Sequence, residues 1–190
     1  MSYKGKSTLK GYFVAGAVPT ASDFEDLVDS THNGQGTYQL VTTETDTTID
    51  SSETAGGIIH LTGTGGTTSD EQVLKLPEAS SDNIGLSYKL ILGSNVTNLR
   101  VGPDGTTTKL SGSLSIISFF NATSSLWEPA PLGTTHISLS AGAPAKGGVS
   151  GSSIDFFYNS ATGITVLGTI LNSYTGSITG LELYGTGDIG

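Results

Sequence analysis

Two acidic pairs, Asp70-Glu71 and Glu78 with Asp82, come nearest in this chain to a general acid and base. Glycoside cleavage needs two carboxyls about 5–10 Å apart across a groove. Here both pairs sit in turn-like segments flanking one short apolar run, where carboxylates read as solvated turn residues. Serine is abundant, but His32, His60 and His136 are scattered and no Gly-x-Ser-x-Gly nucleophile elbow occurs. No two histidines lie at metal-ligand spacing. His60 or His136 could hold an ion only by meeting its own copies on the axis of an oligomer, and a surface or half-buried strand histidine is the simpler reading. The glycine runs at Gly63–Gly66 and Gly147-Gly148 lack the lysine and helix of a phosphate loop. The chain therefore reads as a non-enzyme, with no catalytic residues, metal or cofactor expected.

Aromatic side chains are the better candidates for binding. Trp127, Tyr158, Tyr174 and Tyr184 could stack on the rings of a glycan. Trp127, beside Leu126 at a strand end, reads first as core or intersubunit packing. Tyr12, Phe13, Phe24, Leu27 and Val28 form a second apolar set, with Phe24, Leu27 and Val28 at helical i, i+3, i+4 spacing on one face. That helix starts at Pro19-Thr20, where Thr20 and Asp23 make an approximate capping box, and should stop near Thr31 before Asn33-Gly34-Gln35-Gly36. At about eleven residues it is too short to stand alone. Its apolar face must rest on its own body or on a partner.

Everything after residue 36 is Gly-, Ser- and Thr-rich, with short Val/Ile/Leu runs punctuated by turns. Strands are expected within 38–48, 58–61, 72–77, 86–92, 99–101, 110–120, 126–128, 154–158, 164–167 and 178–184. Spacing of this kind fits a sandwich or barrel rather than βαβ units. Pro129-Ala130-Pro131 is a candidate boundary. The chain accordingly divides into an N-terminal arm (1–36), a β-sandwich body (37–132) and a C-terminal β-segment (133–190), separate from the body or continuous with it. The fold class is all-β, a Greek-key sandwich or jelly-roll-like body with a short helix-containing arm.

Of the 190 residues, 35% are hydrophobic and 13% charged, which gives a lone monomer a thin core and points to oligomerisation. The net charge is −9, and all 17 acids follow residue 10 against five bases, so an acidic body repels phosphate backbones and no nucleic-acid partner is expected. No apolar run reaches the roughly 20 residues of a membrane helix, so no membrane insertion is expected. The apolar patch Gly11–Val18 behind three lysines loosely mimics a secretion signal, but two glycines and no leucine make it a poor one. Asn95-Val96-Thr97 and Asn121-Ala122-Thr123 match glycosylation triplets, which a Thr-rich chain produces by chance.

Two segments carry a resemblance. Tyr3 to Phe13, then Val18-Pro19-Thr20 and Phe24-x-x-Leu27-Val28-Asp29-Ser30, resembles the N-terminal region of certain bacteriophage structural and fibre proteins. The order Leu74-Lys75-Leu76-Pro77, Asn83-x-Gly85, the strand to Leu92, Gly102-Pro103-Asp104-Gly105, Leu110-Ser111-Gly112 and Leu126-Trp127 is similar to a β-module of phage fibres and appendages. Together they cover about half the chain. The resemblance implies a virion component, commonly a homotrimer, that attaches to other virion proteins through its N-terminal arm and displays a β-body to solvent. The missing long shaft points to a short fibre or capsid-decoration protein. The alternative is a carbohydrate-binding module that recognises a host surface glycan.

Overall fold

A computed structural model describes residues 6–30, 38–41, 46–49, 57–67, 71–118, 125–141, 147–173 and 183–186. The expected helix is present as α2 (Ala21–Ser30). Its start is fixed reciprocally: the Asp23 amide donates to Thr20 Oγ1 at 3.3 Å, and the Thr20 amide donates to Asp23 Oδ2 at 2.7 Å. A second helix, α1 (Lys6–Tyr12), was not legible in the sequence. Seven residues containing Thr8 and Gly11 have little helical tendency of their own. The helix forms against α2, with the Phe13 and Phe24 rings edge-to-face at 5.7 Å and the Tyr12 hydroxyl donating to Asp26 Oδ2 at 2.9 Å.

The body is all-β. Twelve strands are described: β1 (Tyr38–Val41), β2 (Thr47–Thr48), β3 (Ile58–Leu61), β4 (Gln72–Leu76), β5 (Ser87–Leu92), β6 (Leu99–Pro103), β7 (Lys109–Ser118), β8 (Ser125–Pro129), β9 (His136–Leu139), β10 (Ser153–Ser160), β11 (Gly163–Asn172) and β12 (Tyr184–Gly185). They form a seven-stranded sheet in the order β1-β3-β5-β10-β11-β7-β8 and a five-stranded sheet in the order β12-β9-β6-β4-β2. We call these the large and the small sheet.

The connectivity is not that of a Greek key. From β1 to β6 the chain alternates between the sheets, so that β1, β3 and β5 stack in parallel in one and β2, β4 and β6 in the other. Register sets Tyr38 beside Ile58, Ile58 beside Lys89 and Gln72 beside Leu99, a parallel winding of three turns. A Greek key or jelly roll would instead join antiparallel neighbours. Period-two patterning reveals which face a side chain takes but not which strand lies alongside.

Residues after Pro131 complete both sheets. Strand β10 pairs antiparallel with β5 and with β11, β11 pairs in parallel with β7, and β9 and β12 extend the small sheet. The segment 133–190 is thus continuous with the body as far as it is described. Strand β9 had no expected counterpart, whereas the expected 178–184 strand lies mostly outside the described residues.

Inward residues alternate along β3, β5, β7, β10 and β11 and close one core with those of the small sheet. Leu90, Ile116, Phe156 and Val166 from the large sheet are fully buried, as are Leu74 and Val101 from the small one. Tyr88 and Tyr158 meet edge-to-face at 5.8 Å, and the Tyr158 hydroxyl donates to the Pro77 carbonyl at 2.6 Å.

Candidate interaction surfaces

Of the five residues expected to mediate attachment, the arm brings Phe13 and Phe24 together, and Val28 stays exposed. Tyr12 is tied to Asp26, and Leu27 is half-buried. The Asp26 hydrogen bond is the main cause that raises the Tyr12 phenol above its usual range, followed by desolvation and the charges of Asp26 and Asp23. Among the described elements, the substantial contacts of each helix are with the other helix. Much of the apolar surface remains uncovered: Val14, Val18 and Val28 are exposed, and Phe24 is 51% exposed despite its ring contact. Gly16, at φ +87°, turns the chain between the helices where a side chain would be strained.

The four aromatics expected to meet a glycan do not form one platform. Tyr158 is corrected: at 2% exposure its ring is core and cannot stack on a sugar. The signal was present, since Ile154, Phe156 and Tyr158 share one parity along β10 and all point inward. Burial first, then the neighbouring Tyr88, pushes its phenol well above the usual range. Tyr184 is half-buried, with its hydroxyl donating to the Glu128 carbonyl at 2.9 Å. Tyr174 lies outside the described residues. Trp127 is 67% exposed on edge strand β8.

The two outer faces of the body differ in chemistry. On the small sheet the outward side chains that reach solvent are polar, Lys75, Arg100 and Ser138, with Arg100 paired to Glu71 at 2.8 Å, while Val73 in the same row is buried. On the large sheet, register brings Ile58, Lys89, Asp155 and Leu167 into one row across the strands, and His60, Ile91, Ser153, Thr169, Ser115 and Trp127 into the next. Phe157 and Ile117 flank these rows on the same face. The Lys89 ammonium contacts both carboxylate oxygens of Asp155, at 2.6 and 2.7 Å.

The histidines stand apart. His60 lies half-buried on the outer face of the large sheet, its ring over Gly93, while His136 is buried in the small sheet with its ring over Gly185. His32 lies outside the described residues. Glu78 and Asp82 are exposed, and Glu78 Oε1 accepts the Thr107 amide at 3.3 Å. Among the described residues no three His, Asp or Glu side chains cluster as metal ligands would. A surface cavity of about 440 Å³ opens beside Lys109, Ser111, Leu132 and Asn159, and its lining includes no histidine or carboxylate that could serve as a base.

One carboxylate points inward. Glu128, opposite Leu114 on β8, has an Oε2 withdrawn from solvent and without a hydrogen-bond partner among the described residues. Burial raises its carboxyl above the usual range, and its charge in turn adds to the rise that burial causes in the Tyr184 phenol. An inward charge on an edge strand weakens the sheet while discouraging other strands from adding to it. The folded chain holds this proton to higher pH than the unfolded chain. Its contribution therefore favours folding most in acid and declines as pH rises from the ordinary carboxyl range through the raised folded value. Glu128→Gln is expected to raise the thermal midpoint at pH 7, with the gain over the parent vanishing below about pH 4. Paired melts across that range check it.

Compared with known proteins, the chain matches no protein-family model, no curated protein and no solved structure.

Proposed function

We propose that this chain is a non-enzymatic structural component of a phage particle, a short fibre or decoration protein. It docks through its N-terminal helical arm and displays the two-sheet body to solvent. The observation that carries the reading is the arm itself: two short helices held mainly by each other, with Phe24, Val28, Val14 and Val18 left facing water. A helix pair with such a surface gains its stability by lying in a groove on another protein. Each apolar side chain covered contributes at about 25 cal/mol per Å², before ordering costs. The resemblance of Tyr3 to Phe13, Val18-Pro19-Thr20 and Phe24 to Ser30 to the starts of phage structural proteins supports a neighbouring virion subunit as the partner. Among the described residues the buried core is built from the body alone, which suits a part meant for display.

The test is complementation. Particles assembled without their own copy are supplied with a tagged chain and purified by sedimentation. The parent chain is expected in the particle band, and Phe24→Asp is expected to lower its incorporation at least tenfold while leaving the melting of the body unchanged. Equal incorporation of the variant, or absence of the parent chain from particles, overturns the reading.

A further inference from the structure

We infer that the outer face of the large sheet packs against the same face of a second copy of this chain. Outward strand positions on a solvated sheet are ordinarily polar. Here Ile58, Phe157, Leu167, Ile117 and Trp127 occupy such positions and remain 39–67% exposed, whereas on the small sheet the outward side chains that reach solvent are the polar Lys75, Arg100 and Ser138, and the apolar Val73 beside them is buried. Five of the seven large apolar side chains left exposed on the described body share this one face. The exceptions, Ile84 and Leu132, lie in loops.

Size and charge identify the occupant. Seven strands spaced about 4.8 Å apart, each of four to ten residues at about 3.3 Å per residue, give a footprint of roughly 400–950 Å². That range brackets the roughly 800 Å² which each partner contributes to a stable interface. A chain of net charge −9 repels its own copies wherever acids face one another. On this face Asp155 is the single carboxylate among the described residues, and Lys89 neutralises it; Lys109 stands at the margin. Asp155 lies on β10, the middle strand of the seven. A two-fold axis near that strand brings each Lys89 toward both Asp155 side chains, so the polar centre complements itself. The other polar side chains of the two central rows are His60 and small Ser and Thr residues, which allow two sheets to approach closely.

The test uses the purified full chain and light scattering coupled to gel filtration at tens of micromolar. The expected mass is twice 19.4 kDa. Leu167→Asp is expected to shift the species to a single copy, whereas Ser138→Asp, which adds the same charge to the outer face of the small sheet, keeps the doubled mass. Thermal melts confirm that each variant is folded. Should Leu167→Asp unfold, Leu167→Ser serves instead and is expected to weaken the dimer at least tenfold. A single-copy parent, a three-copy species, or a doubled mass insensitive to the Leu167 substitutions overturns the inference. This outcome is independent of incorporation into particles, which is read on the arm.

Discussion

Phe156→Ala is expected to destabilise the body by about 3–5 kcal/mol, the usual cost of emptying a phenylalanine site in a closed core. Phe156 is fully buried on β10, the central strand of the large sheet, between β5 and β11. For a chain of this length the thermal midpoint should fall by roughly 6–20 °C. Its neighbour Phe157 points the opposite way and is 41% exposed, so Phe157→Ala should cost under about 1 kcal/mol of folding stability while weakening self-association. Two adjacent phenylalanines thus report on different things, and melts together with masses separate them. Comparable melting losses in both variants would mean that β10 does not alternate as described.

Gly112→Ala is expected to be nearly as damaging, although it adds a single methyl group. Gly112 sits within β7 at φ +108°, where a side chain strains the backbone at about 1–3 kcal/mol. A Cβ there would also overlap the Val166 carbonyl oxygen and stand 2.9 Å from the Val166 nitrogen across the parallel β7–β11 ladder. Backbone cannot rotate aside as a side chain can, so overpacking of about 1–3 kcal/mol adds to the strain. Gly133, at φ +87° with nothing within 4 Å of a built Cβ, is the matched control. Gly133→Ala should cost only the strain, roughly 1 kcal/mol. Equal losses in the two melts would show that the β7–β11 contact is looser than described.

Much of the body was legible because burial follows parity along a strand. Ile59 and Leu61, Leu90 and Leu92, and Ile154 and Phe156 alternate as written, and the strands carrying them are where the spacing predicts. The cap of α2 was legible from Thr20 and Asp23 because it is local. What escaped was non-local. Helix α1 exists through contacts with Phe24 and Asp26, and nothing within 6–12 announces it. Strand β9 is four residues long and is defined by β6 and β12 on either side. The parallel winding could not be read because partner choice leaves no period in the sequence. The surface residues were legible as types, not as places. The apolar outer face draws on five strands far apart in the chain, and only register brings Leu167 into line with Ile58.

The position of the β10–β11 hairpin has a consequence for synthesis. Strands β5 and β7 emerge from the ribosome early, yet they are not neighbours; the hairpin formed by 153–172 must enter between them. Until it does, the large sheet exists as two halves with bare inner edges, each able to capture a strand from another nascent chain. A chain broken off anywhere before residue 153 therefore yields a split, adhesive body rather than a smaller soluble one. The hairpin acts as a keystone that makes completion of translation a condition for release in a usable form.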